Sequence, residues 1–140
     1  MKRYEEAYNL KDLGICNCAQ AVLKSYADIT GVDEETLMNL GSGFGQGMGS
    51  LEATCGALIG ANIVLGLANN KDIPTKGISR KMVADFNSMC GATICKVLKG
   101  VETRKVLCPC SDCVKNASII LEKHLIENNI VEEEILNEKR

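Results

Sequence analysis

The chain has 140 residues, a net charge of -2 from 18 acidic and 16 basic side chains, and eight cysteines. That length buries one sizeable core unaided, so the cysteines are not needed merely as staples. With no basic surplus, and only three tyrosines and two phenylalanines to stack on bases, nucleic acid is not an expected partner.

Helical signals dominate, and no segment alternates with period two between hairpin turns. The expectation is an all-α, single-domain helical bundle over residues 1–140, with about five to seven helices and a glycine-rich loop before a central apolar helix. Met1 to Leu13 predicts a first helix, stopped near Gly14. Its opening, Met1-Lys2-Arg3-Tyr4-Glu5-Glu6, is acidic where a secretory signal is apolar, so a cytoplasmic location is expected. Asn17 is a candidate N-cap for a second helix, with Cys18, Val22, Leu23, Tyr26 and Ala27 on one face and an end at Gly31. Asp33 caps a short third helix whose Leu37, Met38 and Leu40 are expected to pack inward, before a loop rich in glycine from Gly41 to Gly49.

Thr54 reads as the N-cap of the apolar helix, which is expected to reach Asn69-Asn70 with Cys55 in its first turn. The apolar run from Cys55 to Ala68, broken by Asn62, is shorter than the about 20 residues that cross a bilayer. No membrane span is predicted. Pro74 and Thr75 begin another helix through Val83 and Phe86, kinked at Gly91 and continuing past Cys95 to Leu98 and Gly100. Cys108-Pro109-Cys110-Ser111 forms a turn into a helix from about Asp112 to Asn128, with Val114, Ala117, Leu121 and Leu125 as its buried stripe. The charged tail from Glu132 to Arg140 adds an exposed turn or two, and His124, among Glu122, Lys123 and Glu127, reads as part of a solvated face.

In a reducing compartment structural disulfides rarely persist, so eight cysteines point to redox or metal chemistry. The thiolate is both the nucleophile and the metal ligand, and a helix N-terminus stabilises it. Cys18, Cys55 and Cys110 fall at predicted helix starts, whereas Cys95 falls inside a helix with Cys90 more than one turn earlier. Cys110-x-x-Cys113 has a familiar redox or metal spacing, but Val114 occupies the histidine position of a haem-attachment site and no strand precedes it as in a thioredoxin. No second Cys-x-x-Cys exists for paired zinc knuckles. Metal ligands would have to come from separated helices. Cys16, Cys90 and Cys113 read equally as small buried hydrophobes. Gly43-x-Gly45-x-Gly47 lacks the strand and spacing of a nucleotide loop. Gly56 and Gly60, with Ala57 and Ala61, suit close helix packing and make a homodimer one expectation.

Taken together, Phe44-Gly45-Gln46-Gly47-Met48-Gly49 and Glu52-Ala53-Thr54-Cys55-Gly56-Ala57-Leu58-Ile59-Gly60 resemble the C_GCAxxG_C_C family over nearly the whole chain. Asn17-Cys18-Ala19-Gln20-Ala21-Val22 is similar to its first cysteine motif, Phe86 through Gly91 to Cys95 and Leu98 to its third, and Cys110 with Val114, Asn116 and Ala117 to its fourth. The resemblance implies a small helical redox-active protein, often encoded near transporters, with Cys18, Cys55, Cys95 and Cys110 as the site thiols. Cys108 competes with Cys110 for the fourth place. A similar domain joined to multihaem cytochromes, where an iron-sulfur centre is expected, makes a four-thiolate iron-sulfur cluster the leading cofactor. The glycine loop would then bring backbone amides to its sulfurs. The leading function is electron transfer or redox sensing with a redox partner protein. The alternatives are a thiol-disulfide oxidoreductase, with Cys55 attacking and Cys18 or Cys110 resolving, and a zinc-binding or carrier module serving a transporter.

Overall fold

Asn17 shows how local chemistry starts a helix in this chain. Its Oδ1 accepts from the Gln20 amide at 2.8 Å while Gln20 Oε1 accepts from the Asn17 amide at 3.0 Å, a reciprocal cap that satisfies two otherwise unpaired donors. The structure, a computed structural model, describes residues 1–138. It contains α1 (Arg3–Asp12), α2 (Cys18–Ser25), α3 (Ala27–Thr30), α4 (Glu34–Gly41), a π-type turn (Gly47–Leu51), α5 (Gly56–Ala68), α6 (Thr75–Cys90), α7 (Cys95–Lys99), α8 (Cys110–Glu127) and α9 (Glu133–Glu138). The fold is all-α as expected, and the nine α-helices among the described residues exceed the five to seven foreseen because two long predicted helices are each divided.

The apolar α5 is central. Ala57, Leu58, Ala61, Val64 and Leu65 are buried against Val22 and Leu23 of α2 and the stripe Val114, Ala117, Leu121 and Leu125 of α8. Each large side chain so buried contributes about 1.5–3 kcal/mol. Close approach of α5 to α2 is possible because Gly60 faces Ala19, whose carbonyl oxygen would lie 2.8 Å from any Cβ added there. Arg3, 1 % exposed, ties three segments together: it donates to both carboxylate oxygens of Asp28 at 2.7 and 2.8 Å, to Ser25 O at 2.8 Å and to Leu136 O at 2.9 Å.

Several boundaries differ from the sequence reading. The second helix breaks at Tyr26, whose buried ring turns inward so that its hydroxyl reaches Ser118 O at 3.1 Å, and Gly31 (φ 72°) ends α3 instead. Leu37 is buried, but Leu40 is exposed because the short α4 docks by one side only. Gly91 does not kink a helix: at φ 94° it terminates α6, and the chain runs extended to Ile94 before α7 begins. Leu136 is buried, so the tail packs against the body, while Lys139 and Arg140 lie outside the described residues. His124 is likewise buried rather than solvated, with Nε2 2.7 Å from Asp85 Oδ2 between α8 and α6. Among the described residues no helix is long and apolar enough to cross a membrane.

Candidate functional site

Three helix starts meet beside the glycine loop. Cys55 is the N-cap of α5, not a first-turn residue, because Thr54 pairs with Ile94 in an isolated antiparallel bridge and cannot cap the helix. Cys18 opens α2 and Cys110 opens α8, two residues before the expected start. The thiols of Cys110 and Cys55 both hydrogen-bond to Cys18, and Cys55 in turn contacts Cys113. Cys113 continues the array to Cys90 and Cys108, and these three sulfurs lie within 4.8 Å of one another. That second group has the geometry to hold a metal ion. Six thiols therefore form one chain of contacts, and all but the half-buried Cys110 are buried.

The array is electrostatically uneven. Hydrogen bonds from Cys110 and Cys55, with the backbone amides of Gln46 and Ala19, hold Cys18 far below the ordinary thiol range despite its burial. Cys113, Asn116 and Cys108 do the same for Cys90, lowering it to about 6. The donors move the other way. Cys110 is raised by its bond to Cys18 and by burial, and Cys113 by its bonds to Cys55 and Cys90 together with burial. At Cys55 the bond from Cys113 favours the thiolate, but the neighbouring Cys18 charge and burial outweigh it. Within each half of the array one thiol, Cys18 or Cys90, is thus shifted toward the thiolate, the form that binds metal.

Glycine and strain shape the wall around Cys18. Gln46, Gly47, Met48, Gly49 and Leu51 all adopt positive φ, between 53° and 75°, and three of them are not glycine. Left-handed backbone costs such residues of order 1 kcal/mol each, and the conformation aims the Gln46 amide at Cys18. A Cβ on Gly56 would collide with the Phe44 carbonyl oxygen and lie 2.6 Å from Cys18 Sγ. The space beside that sulfur is therefore kept open by the absence of a side chain.

Cys95 stands apart from the hydrogen-bonded thiols, and the antiparallel bridge explains why. The Cys55 amide donates to Thr93 O at 2.8 Å and the Cys95 amide donates to Ala53 O at 3.0 Å, so the two cysteines leave the bridge in opposite directions. Cys95 begins α7 rather than lying inside a helix, and it backs onto Gly47, whose added Cβ would be 2.7 Å from Cys95 Cβ. Burial raises its pKa, with Lys99 opposing and the charge of Cys18 adding to the rise. Cys16 is buried outside the array, where burial alone lifts it most.

A family model matches residues 16–124, a span containing every one of these thiols. The chain belongs to the C_GCAxxG_C_C family. Its description reads "Putative redox-active protein (C_GCAxxG_C_C)". Neither the curated proteins nor the solved structures contain a match to the chain.

Of the family thiols inferred from the motifs, the fold sets Cys55 and Cys110 each beside Cys18, and leaves Cys95 outside their hydrogen bonds, behind Gly47 but near enough to feel the charge of Cys18. Between Cys108 and Cys110, it is Cys110 that touches Cys18, while Cys108 joins Cys90 and Cys113. The grouping of those last three was not foreseen. The i, i+3 spacing of Cys110 and Cys113 placed both thiols on one face of α8, and that was the available signal. Glu52 pairs with Lys96 at 3.1 Å on the surface, and the exposed Met48 lines a shallow apolar pocket with Leu58 and Ile63.

Proposed function

We propose that this C_GCAxxG_C_C protein is an electron-transfer or redox-sensing protein that holds an iron-sulfur cluster on Cys18, Cys55 and Cys110, with Cys95 as the fourth ligand. The observation that carries this reading is the convergence of thiols from three separate helix starts, with Cys55 and Cys110 each beside Cys18. The residues suit such a group. The donor set is all thiolate, the Gln46 and Ala19 amides already point at a sulfur, and Gly56 leaves that sulfur room. When bound, a cluster supplies one-electron transfer at a potential tuned by hydrogen bonds and solvent exposure.

Burial weighs against the thiol-disulfide alternative. Cys18 is 2 % exposed and Cys55 4 %, and exchange needs a thiolate to reach a substrate disulfide sulfur directly. Electron transfer needs no such contact. Anaerobic purification, reconstitution with iron and sulfide, and analysis of both elements test the proposal. Iron and sulfide with thiolate-to-iron charge-transfer bands are expected, and their loss in Cys18→Ser and Cys95→Ser. Colourless wild-type protein lacking both elements after reconstitution overturns it. Unchanged disulfide-exchange rates in Cys55→Ser and Cys110→Ser would dispose of the alternative separately.

A further inference from the structure

We infer that Cys90, Cys108 and Cys113 form a second, separate site for a thiophilic divalent cation, of which zinc is the biological representative. Three sulfurs lie within 4.8 Å of one another, and all are buried. They come from three positions that the fold fixes independently. Cys90 is the last residue of α6, stopped by Gly91 in the left-handed conformation. Cys108 is held by its amide, which donates to Leu98 O at 3.3 Å, and Cys113 sits one turn into α8 with Sγ 3.5 Å from Cys108 O. Three cysteines placed only as hydrophobic filler have no need to aim their sulfurs at one point.

The surroundings support the same reading. Asn116, one helical step beyond Cys113, donates Nδ2 to Cys90 Sγ at 3.4 Å and to Cys108 Sγ at 3.9 Å. A side-chain amide that reaches two sulfurs at once orients ligands and offsets their charge, as groups outside a metal's immediate shell do. No histidine or carboxylate completes the set among the described residues, so the donors are all soft, which selects zinc-class or copper-class ions over magnesium or calcium. A divalent ion leaves the smaller residual charge among three buried thiolates. Three protein ligands leave one coordination position for water or an added ligand.

Cys113 also touches Cys55, so the test must separate two neighbouring sites from one shared centre. Metal-depleted full-length chain is titrated anaerobically with cobalt as a spectroscopic probe and with zinc, and bound metal is counted per chain. Cys90→Ser/Cys108→Ser should lose one zinc equivalent and the corresponding thiolate-cobalt bands, yet still reconstitute iron and sulfide. Cys18→Ser/Cys110→Ser should keep that zinc, whether or not the wild-type chain takes up a cluster. Asn116→Ala should weaken zinc by about 10- to 100-fold without changing the count. Because a double variant can misfold, wild-type protein is also alkylated with and without zinc. Protection confined to the peptides bearing Cys90, Cys108 and Cys113 is expected. Zinc retained in full by Cys90→Ser/Cys108→Ser, its loss from folded Cys18→Ser/Cys110→Ser, or no zinc-dependent protection overturns the proposal.

Discussion

Replacing Gly56 by alanine adds one methyl group where the structure has no space for it. The new Cβ would meet the Phe44 carbonyl oxygen and Cys18 Sγ, the latter at 2.6 Å, and backbone must move to admit it. Overpacking of this kind costs about 1–3 kcal/mol, and contact with a backbone oxygen places the cost near the upper end. Gly66, ten residues further along the same helix α5, has nothing within 4 Å of its added Cβ. There alanine should gain the ordinary helix preference of about 1 kcal/mol. For a chain of this size about 1 kcal/mol moves the melting temperature by roughly 4 °C. Thermal melts followed by circular dichroism, on metal-free reduced protein, should therefore show Gly56→Ala lower by about 10 °C and Gly66→Ala higher by about 4 °C. Gly60→Ala, facing Ala19 O at 2.8 Å, should fall between them. A Gly56→Ala protein that melts no lower than Gly66→Ala would refute the claim that Gly56 exists to clear the Cys18 wall.

Arg3→Met should destabilise the chain by about 3 kcal/mol in urea titration, because it removes a buried guanidinium that donates to Asp28, Ser25 O and Leu136 O; hydrogen exchange should show α9 losing protection first. Asn17→Ala removes both the α2 cap and the Nδ2 bond to Gly41 O at 3.1 Å, so a loss of about 1–2 kcal/mol is expected by the same titration. Asp85 is held below the usual carboxylate range chiefly by its hydrogen bond with His124 and also by Lys123. A depressed folded pKa stabilises above the unfolded value of about 3.9 and loses that effect as pH falls through the folded value. The stability gap between wild type and Asp85→Asn should therefore be full at neutral pH and shrink below about pH 4, as denaturant midpoints across pH will show.

What the sequence disclosed depended on whether the signal was local. Asn17, Asp33 and Gly31 act through their own turn, so the cap, the short helix and the left-handed stop were all readable from residue type and spacing. The stripe Val114, Ala117, Leu121 and Leu125 was readable for the same reason: a helix repeats its buried face with a fixed period. Tyr26 broke a predicted helix because its hydroxyl finds Ser118, 92 positions away, and no window along the chain contains that partner. His124 was misread equally, since its surface-like neighbours in sequence say nothing of Asp85 on another helix.

The thiol array combines both kinds of information. Helix starts at Cys18, Cys55 and Cys110 were visible, and the fold sets Cys55 and Cys110 each beside Cys18. Cys95 was displaced from them by a single non-local event, the pairing of Thr54 with Ile94, because antiparallel partners carry their following residues in opposite directions. Gly91, left-handed at φ 94°, ends α6 just before that pairing and leaves Cys90 facing α8, where Cys108 and Cys113 meet it. The short bridge therefore accounts for the thiol that leaves the expected set, and the Gly91 stop that leads into it places Cys90 in the second group. Lengthening the 91–94 connection by one glycine should shift the register of that bridge. If this reasoning holds, such an insertion should disturb metal uptake by Cys90, Cys108 and Cys113, read by cobalt absorption, before it disturbs the α2, α5 and α8 core.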